Sequence, residues 1–273
     1  MHHCWFNGTI KKVDDVQMGF NDLGLMRGYG LFDYFRTYNQ RVFQWDWYWE
    51  RYSNSAEWLR IPNPIQKEEA FKIVNELIKM QGSEDCAIRF ILTGGYSEDS
   101  VKMTSPNLFI ISEDLHFSSD ADYSNGIKVI THDYVRDMAE IKSTDYKQFM
   151  YLQSDIKAAQ ASDVLFYSKG EISELSRSNV FIINGNTLST PDTNILKGIT
   201  RRTVLELVKN DFKIEERAIT LQEVLDAEEV FTTSTTKRVL PISKIDDHII
   251  ANGKIGPKTQ FILDKINVMV AGW

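Results

Sequence analysis

The spacing of apolar residues in the first half of the chain predicts short strands and two amphipathic helices. In two segments an apolar residue recurs every three or four positions, which is the period of a helix with one buried face. These helices are predicted at residues 45–60 and 67–80, and the second should stop at Gly82. Shorter runs rich in β-branched and aromatic residues predict a hairpin at 4–10, turning at Asn7 and Gly8, and strands at 31–38, 87–93 and 107–112.

The second half has the same mixture of short strands and helices. Strands are predicted at 127–131, 164–167 and 179–183, and residues 184–186 turn the last of them into a hairpin. Helices are predicted at 146–161, from Gly198 to about residue 210, and at 258–270. Between the halves, the polar residues 116–126 predict a linker that separates domains at 1–115 and 127–273. Because strands and helices do not alternate regularly, the sequence predicts the α+β class with mixed sheets.

Composition indicates a globular protein. Of the 273 residues, 42% are hydrophobic and 25% are charged, which suffices for a sizeable core. The net charge of −7 argues against nucleic acid or an anionic membrane as the main partner. The two cysteines, Cys4 and Cys86, imply no disulfide framework, and the apolar runs are too short to cross a membrane. Because a signal-peptide pattern is also lacking, a cytoplasmic protein is expected.

Common catalytic motifs are missing from the sequence. The five histidines show no helical pairing with a carboxylate, and the cysteines are far apart, so no metal site is expected. Neither a nucleophile elbow nor a Walker loop is found. Gly24, Gly28 and Gly30 precede a strand, and this position predicts a turn instead of a dinucleotide-binding loop.

Four features of the second half form a candidate site. Lys142 lies just before a predicted helix, and Glu174 follows a predicted hairpin. Residues 198–200, Gly-Ile-Thr, begin another helix and offer backbone N–H groups and a hydroxyl to a phosphate. Residues 232–236 form a hydroxyl-rich loop after an apolar strand and provide further phosphate donors.

A lysine, a carboxylate and a phosphate cradle are the groups that pyridoxal 5′-phosphate (PLP) requires. The lysine forms a Schiff base with the cofactor, the carboxylate keeps the ring nitrogen protonated, and the cradle anchors the phosphate. Each feature also has an ordinary structural explanation, with Lys142 and Glu174 as surface charges and Thr200 as a helix cap. The residues by themselves leave both explanations open.

The order and spacing of these features resemble the class IV aminotransferases, the fold-type IV family of PLP enzymes. This family includes branched-chain aminotransferases, D-amino-acid aminotransferases and aminodeoxychorismate lyase. The Glu-x-x-x-x-Asn motif at 174–179 and the Gly-Ile-Thr-Arg motif at 198–201 are specific when found together. Similar segments cover nearly the whole chain: residues 26–33, 50–52, 141–143, 171–181, 188–191, 195–201, 227–235 and 239–242.

The resemblance implies a role for each matching residue. Lys142 would carry the cofactor and then shuttle the proton between the substrate α-carbon and the cofactor, while Glu174 would pair with the ring nitrogen. The residues that would hold the phosphate are Arg51, Ile199, Thr200, Thr235 and Thr236. The resemblance also implies a smaller N-terminal α+β domain and a larger C-terminal domain with a mixed, barrel-like sheet. It implies a homodimer in which the partner chain helps to close the active site.

Two residues of the first half resemble substrate-pocket residues of branched-chain enzymes. These are Arg36 and Arg89, and the resemblance implies that either one would receive a substrate carboxylate. Aromatic residues of the predicted strand 31–38 offer an apolar pocket, although core packing is the commoner use of such side chains: Phe32, Tyr34, Phe35 and Tyr38. D-amino-acid enzymes have a carboxylate-binding arginine where this chain has Gly94, and lyases have a hydroxyl residue in the region of Tyr34. These differences favour an L-amino-acid transaminase over the other two activities. The resemblance implies an apolar, branched-chain donor and a 2-oxo acid such as 2-oxoglutarate as the acceptor.

Other positions depart from the family pattern. Asp33 stands where the family usually has glutamate, and Tyr29 where it often has aspartate. Tyr146 comes four positions after the lysine, whereas branched-chain enzymes have a tyrosine at the fifth, so no role is assigned to it. The alternatives are a D-amino-acid aminotransferase, an aminodeoxychorismate lyase and, more distantly, a non-enzymatic PLP-binding scaffold. A scaffold would not need the lysine, the carboxylate and the phosphate ligands together.

Overall fold

The computed structural model describes residues 2–273 and consists of two compact units. The first unit contains the chain up to His116, the segment Ile141–Asp145 and Trp273, and the second contains Phe117–Glu140 and Tyr146–Gly272. Two features differ from the predicted domain division. The segment predicted as a linker contains a helix with a capping box, and residues 141–145 and Trp273 belong to the first unit.

The first unit is built on an antiparallel sheet. Its strands within residues 2–116 are β1 His3–Phe6, β2 Thr9–Lys12, β3 Gly30–Tyr38, β4 Arg41–Val42, β5 Ala87–Thr93 and β6 Asn107–Glu113, in the order β2-β1-β6-β5-β3-β4. Its helices in the same range are α1 Leu23–Arg27, α2 Trp45–Trp58 and α3 Lys67–Gln81, with a 3-10 turn at Val13–Asp15. The predicted hairpin, strands and two long helices are confirmed within two residues at each end.

The two faces of this first sheet have different environments. Phe35 of β3 packs on Tyr48 of α2 with ring centroids 5.3 Å apart, and Phe90 of β5 packs on Tyr52 at 5.2 Å. Side chains alternate between the two faces along a strand, and those of β3 and β5 that point toward the helices are all buried. Phe32 and Tyr34 alternate with Phe35 and lie on the opposite, partly exposed face.

The second unit is built on a mixed sheet. Its strands between residues 117 and 272 are β7 Ile127–Asp133, β8 Asp163–Ser168, β9 Glu171–Leu175, β10 Asn179–Asn184, β11 Thr187–Thr190, β12 Lys213–Glu216, β13 Glu229–Ser234, β14 Arg238–Ile245 and β15 His248–Ile249. The order is β12-β11-β10-β13-β14-β7-β8-β9, with β15 paired to β14. The pairs β11–β12, β14–β7 and β7–β8 are parallel. The predicted α+β class with mixed sheets is therefore confirmed.

Helices pack on this sheet around an aliphatic core. They are α4 Asp120–Asn125, α5 Lys147–Tyr151, α6 Gln153–Ala158, α7 Ile199–Val208, α8 Leu221–Leu225 and α9 Pro257–Ala271, with a 3-10 turn at Ala251–Gly253. The core includes Val129, Leu165, Val180 and Leu240, each of which comes from a different strand. Burial of these aliphatic side chains stabilises the packing of the central strands.

Three local predictions need correction. The helix predicted at 146–161 is two short helices, because the ψ of Leu152 is −1°, outside the usual helical range. Leu152 then packs with Ile156 in a small buried cluster. Glu174 lies within strand β9, the second strand of its hairpin, instead of following the hairpin. In the predicted hydroxyl loop 232–236, the first three residues belong to strand β13, and only Thr235 and Thr236 lie in the turn.

None of the helices that the structure describes in residues 2–273 is both long enough and apolar enough to cross a bilayer.

Candidate active site

Lys142 is held beside strand β3. Its carbonyl oxygen accepts a hydrogen bond of 2.9 Å from the backbone N–H of Phe32. Leu31 and Ser143 form an antiparallel bridge, so the segment Ile141–Asp145 continues the first sheet at this point. The Lys142 Nζ atom lies 4.5 Å from the centroid of the Phe32 ring. The predicted catalytic lysine is thus fixed over the partly exposed face of the sheet, against an aromatic ring.

An arginine lies on the same face as Lys142. Arg89 is opposite Tyr34 in the β3–β5 register, and its guanidinium carbon lies 4.8 Å from the Tyr34 ring and 5.8 Å from the Phe32 ring. Glu113 accepts two hydrogen bonds from Arg89, at 2.5 and 2.8 Å. Burial, and secondarily the charge of Glu113, raise the pKa of Tyr34 above its ordinary value. The structure therefore brings together three of the predicted residues, namely Phe32, Arg89 and Lys142.

Arg36 is more deeply buried than Arg89. Its Nε donates to the Thr37 carbonyl at 3.1 Å, and its guanidinium lies 3.4 Å from an Asp85 oxygen. The guanidinium carbon also lies 4.0 Å from the centroid of the Tyr38 ring. Both arginines predicted to bind substrate therefore already have acidic partners, and a substrate carboxylate would have to share or displace them.

Arg51 is partly buried and forms an ion pair with the buried Asp33. The Arg51 Nε and a terminal nitrogen donate to the two Asp33 oxygens at 2.9 and 2.5 Å. Asp33 alternates with Phe32 along β3, so this pair lies on the helix-covered face, opposite to Phe32. Sequence reasoning noticed Asp33 only as a departure from the family, although a buried arginine requires an acidic partner nearby. The role of Arg51 toward a phosphate stays a prediction.

Glu174 lies in the second unit and is held by an arginine. One of its oxygens accepts hydrogen bonds from Arg136, at 2.8 and 2.7 Å, and the other accepts from the Leu196 N–H at 3.0 Å. The Arg136 guanidinium also donates to the Ala139 carbonyl. These contacts fix the orientation of the buried carboxylate. Sequence reasoning missed Arg136, since nothing in the spacing of the chain connects it to β9.

The predicted phosphate segment 198–200 lies at the start of α7. Gly198 is the N-cap, with no side-chain capping bond, and Ile199 and Thr200 are buried in the first turn. The first N–H groups of a helix have no acceptor within the helix and carry its positive dipole end. A Cβ atom on Gly198 would collide with the side-chain oxygen of Asn179, while the Asn179 amide donates to the Leu196 carbonyl at 2.7 Å. The glycine therefore permits a close approach of strand and helix.

The second predicted phosphate segment is the turn between β13 and β14. Thr235 and Thr236 are partly buried, and they are followed by Lys237, whose N–H donates to the Ser234 hydroxyl at 3.3 Å. The hydroxyl of Thr233 is buried without a hydrogen-bond partner among the residues that the structure describes. Backbone amides and hydroxyl groups at α7 and at this turn form a donor set that suits a phosphate.

The predicted ligands are divided between the units. The first unit holds Phe32, Arg36, Arg51, Arg89 and Lys142, and the second holds Glu174, Ile199, Thr200, Thr235 and Thr236. By residue type, the amine of the first unit and the carboxylate and phosphate donors of the second unit are the groups that PLP requires. Among residues 2–273, no group of three or more His, Cys, Asp or Glu side chains is arranged to hold a metal ion.

The chain is similar to known proteins over nearly its whole length. A family model described as amino-transferase class IV matches residues 30–245. A putative branched-chain-amino-acid aminotransferase of Methanocaldococcus jannaschii is 30% identical, over 98% of this chain and 96% of that protein. A D-alanine aminotransferase of Bacillus licheniformis is 29% identical, over 93% of this chain and 92% of that protein. The crystal structure of the Escherichia coli branched-chain amino acid aminotransferase has the same fold, with a TM-score of 0.93, 21% identity and coverage of 99% and 95%.

Proposed function

The chain belongs to the class IV aminotransferases, a family of PLP enzymes, and we propose that it transfers the amino group of an apolar L-amino acid to a 2-oxo acid. Branched-chain amino acids are the proposed donors, and 2-oxoglutarate is the proposed acceptor. The observation that carries this proposal is the position of the Lys142 amine, 4.5 Å from the Phe32 ring on a face that also holds Arg89. A basic amine, an apolar ring and a cation for a carboxylate are the groups that such a substrate requires.

The proposal assigns the chemistry of the cofactor to named residues. PLP, when bound, withdraws electrons from the substrate α-carbon and makes its proton removable. Lys142 would anchor the cofactor and then move this proton, and Glu174, oriented by Arg136, would pair with the ring nitrogen. The residues that hold the phosphate are Arg51, Ile199, Thr200, Thr235 and Thr236.

Substrate selection depends on the partly exposed face of the first sheet. Phe32 and Tyr34 offer aromatic surface to an apolar side chain, and Arg89 would bind a carboxylate that shares its guanidinium with Glu113 or displaces Glu113. The similarity to a putative branched-chain-amino-acid aminotransferase supports the branched-chain donor. The similarity to a D-alanine aminotransferase makes the D-configuration the main competing specificity.

An assay of amino transfer tests this proposal. The purified protein, loaded with PLP, is incubated with 2-oxoglutarate and with the L and D forms of leucine, valine and alanine, and glutamate formation is measured. The proposal expects glutamate from L-leucine and L-valine at rates well above those from their D forms. Preferential use of D-alanine would replace it with the D-amino-acid specificity. Release of pyruvate and 4-aminobenzoate from aminodeoxychorismate, without glutamate formation, would replace it with the lyase activity.

The proposal includes a homodimer and a cytoplasmic location. Exposed apolar side chains in the first unit support the dimer: Phe20, Leu25 and Val101 are 82%, 64% and 80% exposed. The end of helix α1 contacts the loop before Val101, because Arg27 donates to the Ser100 carbonyl at 3.1 Å. Leu25→Glu should convert the dimer to a monomer in light scattering. A wild-type protein that is monomeric at micromolar concentration would contradict this part of the proposal. Two free, buried cysteines agree with a reducing compartment.

A further inference from the structure

A buried carboxylate lies at the first position of β8, and no family motif includes this residue. Asp163 is 0% exposed, and its Oδ1 atom accepts hydrogen bonds from the Ser176 hydroxyl at 2.5 Å and the Val164 N–H at 2.9 Å. Its Oδ2 atom accepts from the Lys237 amine at 3.0 Å. Burial alone would raise the pKa of Asp163, but the charge of Lys237 and the bond from Ser176 outweigh burial and lower it. The two side chains therefore form a salt bridge.

Lys237 is the third residue of the turn that carries Thr235 and Thr236. Its backbone is held at two points, because its N–H donates to the Ser234 hydroxyl and its carbonyl accepts from the Tyr123 hydroxyl at 2.8 Å. Its amine reaches away from the turn to β8, at Asp163. The next residue, Arg238, has a φ of 55°, which a side-chain-bearing residue rarely adopts. A turn with such a backbone needs fixing by its surroundings.

The same amine also contacts the segment that supports the start of α7. The Lys237 Nζ atom lies 3.4 Å from the Ser178 hydroxyl. The next residue, Asn179, accepts a hydrogen bond from the Thr232 hydroxyl at 2.8 Å and donates to the Leu196 carbonyl at 2.7 Å. A continuous set of hydrogen bonds therefore connects Asp163, the β13–β14 turn and the loop that precedes Gly198.

We propose that Lys237 and Asp163 are positioning residues that fix the Thr235 and Thr236 donors in the geometry required for the cofactor phosphate. The inference rests on the proposed phosphate-binding role of Thr235 and Thr236. A buried ion pair contributes little net stability relative to an uncharged pair, and a well-supported use for one is to specify a single arrangement of the chain. Both residues act through the turn that carries the two threonines.

The test separates positioning from folding by comparing single and double variants. Lys237→Met alone leaves the Asp163 carboxylate buried without its cation, so the protein should be destabilised. The double variant Asp163→Asn/Lys237→Met removes both charges and should recover most of the thermal stability of the wild type. Lys237→Arg keeps a cation and should retain most of the cofactor affinity. Lys209→Met is the matched control, because Lys209 forms an exposed pair with Glu206 on α7.

The decisive readout is the affinity for PLP compared with pyridoxal, which lacks the phosphate. Both are measured by spectroscopic titration of the full-length apo protein. In the double variant the dissociation constant for PLP should rise about tenfold to a hundredfold, as expected for loss of hydrogen bonds to a charged group. The constant for pyridoxal should stay within about twofold, since the altered donors serve only the phosphate. Unchanged PLP affinity, or an equal loss for both ligands, would overturn the inference.

Hydrogen exchange of the apo protein provides a second readout that needs no cofactor. The amides of residues 235–237 should exchange faster in the double variant than in the wild type. The exchange rates of the amides in strand β7 should not change. Equal exchange at the turn would contradict a positioning role. A wild-type protein that binds no PLP would overturn the proposed function and this inference together, whereas a double variant that binds as well as the wild type overturns the inference alone.

Discussion

Phe32 and Asp33 are neighbours in β3, and they point to opposite faces of the first sheet. Phe32 lies under the Lys142 amine, and Asp33 holds Arg51 in a bidentate ion pair. One strand therefore supports the predicted catalytic lysine on its partly exposed face and a predicted phosphate ligand on its helix-covered face. Substitutions at these two positions should have different consequences, because only Phe32 shares a face with Arg89.

Phe32→Ala should impair the use of apolar donors. The ring offers apolar area next to Lys142, and its loss should lower kcat/KM for L-leucine about tenfold. The affinity for PLP should change less than the kinetic constant does. Steady-state kinetics with L-leucine and 2-oxoglutarate measure the effect. Phe109→Ala is the matched control, since Phe109 lies on the same face and stacks on Phe6 at 4.5 Å. Equal losses in both variants would indicate a general packing effect.

Glu113→Gln should improve the binding of a dicarboxylic acceptor. Glu113 occupies the Arg89 guanidinium through two hydrogen bonds, and removal of its charge frees the arginine for a substrate carboxylate. The Arg89–Glu113 ion pair is partly exposed and contributes little free energy, so KM for 2-oxoglutarate should fall only about twofold to fivefold. Asp114→Asn is the control, because Asp114 contacts Gln81 instead of Arg89.

Arg89→Met tests the same site by removing the arginine instead of its acidic partner. It should raise KM for 2-oxoglutarate about tenfold to a hundredfold, since a charge-assisted hydrogen bond is lost. If Arg89→Met leaves this KM unchanged, Arg89 does not bind the carboxylate. Arg36 of β3, which is paired with Asp85, would then be the remaining candidate for binding the carboxylate.

Gly198→Ala should disturb the start of α7. The added Cβ atom collides with the Asn179 side chain, which supports the preceding loop through Leu196. The free energy of unfolding should fall by about 1–3 kcal/mol, and PLP affinity should fall as well. Urea unfolding of the apo protein and a PLP titration measure both effects. Gly272→Ala is the control, because a Cβ atom there meets its neighbours only at 3.8 Å. A fully stable Gly198→Ala protein would contradict the close approach.

The Asp163–Lys237 pair should make stability depend on pH in the acid range. The pKa of Asp163 is lower in the folded chain than its ordinary value. The ionised carboxylate therefore adds its full share to the free energy of unfolding when the pH is above that ordinary value. This share is lost as the pH falls below about 4 and through the pKa of the folded state. The double variant Asp163→Asn/Lys237→Met should therefore lose less stability than the wild type between neutral and strongly acidic pH. Parallel acid unfolding curves for the two proteins would contradict this.

The sequence predicted the elements whose signal is local. The helix start at Gly198 and the strand through Phe32 follow from residue spacing over fewer than about ten positions, where periodicity is informative. The break at Leu152 was missed, since the whole segment has a helical pattern. A helical pattern of apolar residues does not show where packing in a buried cluster will interrupt the helix.

Contacts between distant residues could not be predicted in the same way. The bridge between Leu31 and Ser143, the Arg136–Glu174 pair and the Asp163–Lys237 pair all join segments far apart in the chain. Residue types alone do not select one acid for one base, because the chain has 31 Lys and Arg and 38 Asp and Glu. Tertiary packing makes that selection, and it decides which of the predicted site residues already have partners.

Borohydride reduction of the PLP-loaded protein tests the central claim most directly. Reduction makes the bond between cofactor and lysine permanent, and peptide mass spectrometry then identifies the modified residue. The proposed function predicts one phosphopyridoxyl group, on Lys142, in the wild type and in the Lys157→Ala control, where an exposed lysine is removed. Lys142→Ala should show no such group and no amino transfer. Specific labelling of another lysine, or a wild-type protein that takes up no cofactor, would contradict the account.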